Sequence, residues 1–259
     1  MIGIFDSGLG GLTAYRELKA LLPGEDFVYF GDTGRVPYGS RSHEILQKYA
    51  KQDIAFLRTK GVDVILAACG TVSSVVLDEI AAKSDLPLVG VVDASVAEAL
   101  AATKNNIIGV IGTGATISSG AFEKKIRAAR PEAQVISTAC PLFVPLVENG
   151  YIQRDCTVTK LVAADYLSAI KASGADTLIL GCTHFPIIAD IIGDLLPGVT
   201  LISSGAAAAR AIAKNRAVVK ANGSSSFFVS DSPVNFDEVA RVFLGGETVT
   251  AKKIDIEKY

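Results

Sequence analysis

Short apolar runs alternate with helical patterns along all 259 residues, which predicts an α/β fold. Two internal repeats divide it into two pseudo-symmetric open-sheet domains with the active site in the cleft between them. The first repeat aligns KGVDVILAACGT (60–71) with SGADTLILGCTH (173–184), so Gly61, Asp63, Cys69 and Thr71 match Gly174, Asp176, Cys182 and His184. The two cysteines stand 113 positions apart. The second repeat aligns the run from Ile2 to Gly8 with that from Ile108 to Gly114, an offset of 106. These nearly equal spacings put the domains at 1–93 plus 205–259 and at 94–204, the tail returning to complete the first. Each thiol copy is an apolar run ending in cysteine, then small polar residues and a helical pattern. A buried parallel strand delivers a side chain to its carboxyl end in this way, so the two thiols are expected to face each other across one cleft.

With 49% hydrophobic and 20% charged residues, both domains have material for a core. A net charge of −2 without a Lys/Arg stripe argues against nucleic acid and favours a small-molecule substrate. No apolar run reaches bilayer length and Met1 leads straight into a strand pattern, so no membrane role is expected and the location should be cytoplasmic. Cys69, Cys140, Cys156 and Cys182 include no CxxC pair, and with two histidines they fit neither a disulfide framework nor a metal site.

Residues 2–5 read as a buried strand breaking into Asp6-Ser7-Gly8-Leu9-Gly10-Gly11 before a helix from Leu12 to Leu22. That turn's N–H groups suit a carboxylate or phosphate, but its spacing is neither a P-loop nor a dinucleotide fingerprint. Asp6 suits an ammonium group or a proton-carrying partner, or else caps the helix. Strand 27–30 ends in Gly31-Asp32-Thr33 and the turn Val36-Pro37-Tyr38-Gly39-Ser40, whose amides can receive a second anion. Ser42 caps a helix to about Lys60, with His43 solvated in its first turn. Strand 62–68 delivers Cys69 to the start of a helix reaching about Lys83, where the dipole would lower the thiol pKa. Without its repeat partner, Cys69 would read as a small buried hydrophobe.

Strand 88–92 precedes a helix capped by Asp93-Ala94-Ser95 and running to Ala102. After strand 108–111, Gly112 replaces Asp6, leaving Thr113 and Thr116 as hydroxyl donors. Strand 135–137 leads through Cys140-Pro141 and Pro145 into a loop carrying Glu148, which points into the cleft or is an ordinary loop carboxylate. Cys140 and Cys156 have no repeat partners and read as structural. Helix 158–172 and strand 177–181 bring in Cys182-Thr183-His184, with Pro186 in the first turn of the next helix. Strand 199–202, helix 205–214, strand 227–229, helix 235–244 and strand 249–256 complete the order.

Two opposed thiols can form a disulfide, bind a soft metal or exchange a proton. Disulfides favour cysteines on one turn and metals need more ligands. Inverting an sp³ carbon with an acidic hydrogen needs a base on one face and an acid on the other, which two thiols supply. Asp6 beside Cys69 and His184 beside Cys182 would tune them, and backbone amides would bear the charge developing on an amino-acid carboxylate.

At these residues the chain resembles the cofactor-independent glutamate racemases of the aspartate/glutamate racemase superfamily. FDSGLGGL (5–12), YFGDTGRVPYG (29–39), the Cys69 segment, GVIGTGATISSGAF (109–122), PLFVPLVENG (141–150) and LGCTHFP (180–186) follow that family's motifs in order. The resemblance implies interconversion of L- and D-glutamate by two-cysteine proton transfer at Cα, without a cofactor, in a homodimer that supplies D-glutamate for peptidoglycan. It implies Cys69 and Cys182 as acid/base residues, supported by Asp6, Asp32, Glu148 and His184. Ser7, Pro37, Tyr38, Gly39, Gly70, Thr71, Thr116 and Thr183 would hold the substrate, with Asp6 and His184 also in reach. One departure is that the family's Asn after the first cysteine is Gly70 here, so weaker binding or a shifted site is expected. The segment 201–205 also lacks the acidic residue expected after that strand. Two rival readings are an aspartate or related racemase, against which the Pro37-Tyr38-Gly39 turn speaks by resemblance, and a non-catalytic acidic amino-acid binding module, which Gly70 favours.

Overall fold

The structure is a computed structural model that describes residues 1–216, 223–231 and 236–259. Its strands are β1 (Ile2–Asp6), β2 (Phe27–Gly31), β3 (Val64–Ala67), β4 (Leu88–Gly90), β5 (Ile107–Gly112), β6 (Gln134–Ala139), β7 (Thr177–Leu180), β8 (Thr200–Ser203), β9 (Ser225–Val229) and β10 (Ala251–Lys253). They form two sheets, ordered β10-β9-β2-β1-β3-β4 and β6-β5-β7-β8, with parallel pairing throughout. Parallel sheets need helices on both faces, and β1, β2, β3 and β7 are accordingly buried along their whole length.

The repeats become equivalent places in the two sheets. β1 lies between β2 and β3, and β5 lies between β6 and β7. At both points the chain order reverses, the position at which open α/β sheets leave a crevice at their carboxyl ends. β9 pairs with β2 from Phe27↔Ser225 to Gly31↔Val229, so the tail returns to the first sheet as expected. The joint between the halves includes the helix Ser204–Lys214, which packs on both Leu12–Leu21 and Val91–Ala102. Its small residues permit that approach: a Cβ on Gly205 would meet Ala14 at 3.0 Å.

Several boundaries differ from the sequence expectation. The run from Leu88 to Val92 is not all strand. β4 stops at Gly90 and the helix starts at Val91, so Asp93 lies in its first turn rather than at its cap. Both sides of that junction are apolar, which erased the change of period. The segment after Cys140 holds a helix, Phe143–Glu148, because Pro145 sits in the first turn where its missing N–H costs nothing. The helix after Cys69 breaks at Val76 into Gly70–Val75 and Leu77–Ala81. The last strand shortens to β10, followed by a 3₁₀ turn at Ile256–Lys258. The expected helix 235–244 is seen as Phe236–Phe243, and Asn235 lies outside the described residues. Among the described residues no helix is long and apolar enough to cross a membrane.

Candidate active site

A cavity of about 600 Å³ opens at the carboxyl ends of both sheets. From the first sheet it is lined by Ser7 and Gly8 after β1, by Val36, Pro37, Tyr38, Gly39 and Ser40 after β2, and by Cys69, Gly70 and Thr71 after β3. From the second come Thr113 and Gly114 after β5, Cys140, Pro141, Val144, Pro145 and Glu148 after β6, and Cys182, Thr183 and His184 after β7. The two repeated cysteines thus stand on the walls of one cavity.

Their surroundings differ. Cys69 caps the helix Gly70–Val75 and is 4% exposed. Burial, helped by the charge of Asp6, pushes its thiol up to about 12 against the hydrogen bonds from Val72 and Ser7. The lowering expected from the helix dipole is therefore reversed, because a six-residue helix offsets little of the cost of burying a thiolate. Cys182 Sγ instead lies 3.8 Å from His184 Nδ1, whose Nε2 is 3.0 Å from Glu148 Oε1. Burial opposes a charge on His184, but the hydrogen bonds and charges of Cys182 and Glu148 outweigh it and push the imidazole up to about 10. That shift favours the doubly protonated ring, in which both nitrogens donate, at neutral pH. The edge-on ring of Phe243, with centroids 5.2 Å apart, fixes its plane.

Asp6 is fully buried and accepts the Gly8 N–H at 3.0 Å and the Thr183 hydroxyl at 3.5 Å. Burial raises its carboxyl above the usual range despite the charge of His184. The following helix has Gly11 at its N-cap without a side-chain cap, and the Gly11 N–H, like that of Gly8, acts to lower the Asp6 carboxyl.

Of the residues singled out in the sequence, Ser7, Pro37, Tyr38, Gly39, Cys69, Gly70, Thr71, Glu148, Cys182, Thr183 and His184 line the cavity, while Asp6, Asp32 and Thr116 lie one layer behind. Asp32 accepts from the Tyr38 hydroxyl and, at 2.6 Å, from Arg35 Nε. Arg35 Nη2 also reaches Asp53 Oδ1 at 3.0 Å, and the Tyr38 hydroxyl is 3.3 Å from Asp53 Oδ2. Burial and the charge of Asp32 push Asp53 well above the carboxylate range. This network braces the turn that contains the cis Val36-Pro37 bond. Thr116 supports Thr113 at 2.9 Å, which in turn lies 3.0 Å from the hydroxyl of Thr71 across the cleft.

Sequence reasoning passed over Asp53 and Phe243, which lie on helices with no local mark of a role. Cys140, read as structural, borders the cavity but is fully buried in the core, and burial pushes its thiol up to about 12. Among the described residues no group of three or more His, Cys, Asp or Glu is placed to hold a metal.

A profile of the Asp/Glu/hydantoin racemase family matches residues 3–212. The chain is 40% identical over 263 residues to the glutamate racemase of Geobacter metallireducens, covering 99% of this chain and 97% of that protein. Glutamate racemase RacE1 from Bacillus anthracis superposes with a TM-score of 0.93 at 32% identity, covering 98% of this chain and 97% of that one. Glutamate racemase from Francisella tularensis, solved with D-glutamate, gives 0.90 at 37% identity, covering 100% and 98%.

Proposed function

From a chain that belongs to the Asp/Glu/hydantoin racemase family, we propose an enzyme that interconverts L- and D-glutamate by moving a proton at Cα between Cys69 and Cys182, with no cofactor. The observation that carries it is two thiols on the walls of one cavity in unlike surroundings: Cys69 is buried at a helix start, where burial raises its thiol pKa, and Cys182 Sγ lies 3.8 Å from the His184 ring. For one enantiomer the Cys182 thiolate, paired with His184, removes the α-proton and Cys69 gives its proton to the opposite face. The carbon is inverted, leaving a thiol at Cys182 and a thiolate at Cys69. The other enantiomer runs these steps backwards. Hydroxyl and N–H donors on Ser7, Thr71, Thr183, the Tyr38 and Gly39 amides and the Gly70 backbone would meet the carboxylate charge that grows in the transition state, while the ammonium, itself a donor, would be met by acceptors such as the Ser7 and Thr183 hydroxyl oxygens.

The same reading carries the domain division at 1–93 plus 205–259 and 94–204, a cytoplasmic homodimer, and D-glutamate supplied for peptidoglycan. Support for the division comes from the two sheets, and for glutamate from the relative solved with D-glutamate. Incubation with L-glutamate, and separately L-aspartate, in deuterated water tests the activity. Optical rotation should decay with glutamate alone while deuterium enters Cα, and Cys69→Ala or Cys182→Ala should abolish the decay. Decay with aspartate alone would overturn the substrate, and binding without exchange or decay would make the chain a binding module.

A further inference from the structure

Residue 70 lies where the two halves of the site touch. A Cβ built on Gly70 would stand 2.0 Å from the carbonyl oxygen of Gly181, 3.1 Å from its carbonyl carbon and 3.7 Å from Cys182 Cα. Gly70 directly follows Cys69 and Gly181 directly precedes Cys182, so the backbones that carry the thiols rest on each other with no side chain between. Gly181 is itself held in place. Its N–H is bonded to the Ile111 carbonyl at 2.7 Å, and a Cβ on it would meet that oxygen at 2.8 Å and the Phe122 ring at 3.2 Å. The same seam is tied by Thr71 to Thr113 at 3.0 Å, by Ala115 N–H to the Gly39 carbonyl at 3.1 Å, and by the Thr13 hydroxyl to the Thr183 carbonyl at 3.2 Å.

We propose that Gly70 is a positioning residue, and that its contact with Gly181 is the stop that sets the separation of the two thiols when the cleft is closed. The catalytic half of this proposal rests on the racemase reading. Real Cβ atoms do not come within 3.0 Å of such an oxygen, and one built on Gly70 would stand at 2.0 Å, so in this chain an alanine at 70 requires the two backbones to part by about 1 Å. A displacement of about 1 Å at reacting groups costs roughly a hundredfold in rate. The effect is unequal. With the far thiol withdrawn, the near one can still remove a proton and return a deuteron to the same face, so exchange outlasts inversion.

The test is Gly70→Ala, assayed from each glutamate enantiomer in deuterated water, with its crystal structure solved beside that of the unaltered chain. Inversion should fall about a hundredfold, while the ratio of α-deuterated substrate to inverted product rises at least about tenfold. The Cys69 to Cys182 Cα separation should grow by about 1 Å. That ratio does not depend on how much protein is folded, so poor folding cannot mimic it. A parallel fall of exchange and inversion, or an unchanged Cα separation, would overturn the proposal. If the unaltered chain neither exchanges nor inverts glutamate, the racemase reading fails, and the Cα separation alone decides whether Gly70 is the stop.

Discussion

Glu148→Gln removes the charge opposite the buried imidazole while keeping a side chain of the same shape. His184 Nε2 and Glu148 Oε1 are 3.0 Å apart, but the Glu148 side chain is 45% exposed, so water screens the pair. Two unit charges at that distance in a water-like dielectric interact by about 1.4 kcal/mol, or about one pKa unit. His184, pushed up to about 10 in the unaltered chain, should therefore titrate about one unit lower in the variant. The chain has only two histidines, so an imidazole NMR titration reads this directly, with His43 as internal control. L- and D-glutamate have equal free energies, so kcat/KM must change by the same factor in both directions. An unmoved His184 midpoint would refute the ion pair, and a midpoint that moved upward would refute the sign of the argument.

The raised pKa of His184 also bears on stability: its contribution is complete below about 6.5, the unfolded value, and is lost as pH rises through about 10. Urea unfolding should show stability falling over that window by at most about 5 kcal/mol, a slope absent in His184→Gln. Behind the 37–39 turn, burial and the charge of Asp32 raise the Asp53 carboxyl toward its neutral form, so Asp53→Asn should cost less than Asp32→Asn, which removes the carboxylate that accepts from both Tyr38 and Arg35 and should cost about 3–5 kcal/mol. Equal costs in chemical denaturation would refute that ranking. Phe243→Ala opens a cavity against the His184 ring and should cost about 3–5 kcal/mol, with kcat lowered more than KM because the imidazole loses its orientation. A melt and a rate unchanged from the parent chain would show that the C-terminal helix does not buttress the site.

The sequence by itself determined the fold class and the pairing of Cys69 with Cys182. Both follow from local periodicity: a buried parallel strand is a continuous apolar run, its carboxyl end is where the run breaks, and duplication writes that signal twice. His184 beside Cys182 was legible for the same reason, being two residues away on the same turn. What the tertiary structure decided depends on groups distant in sequence. Whether Cys69 holds its proton turns on burial and on Asp6, 63 residues away, and not on the local helix end. Asp53 and Phe243 reach the site from helices whose sequence carries no mark of it, and Asp32 proved to face Tyr38 and Arg35 rather than the cavity. Gly70 is the sharpest case. In the sequence it is a missing side chain, and only the approach of Gly181 from the other sheet shows that the space is filled by a carbonyl oxygen. Periodicity records which face of an element is buried, but not what it is buried against, and proton affinity and thiol separation depend on the latter.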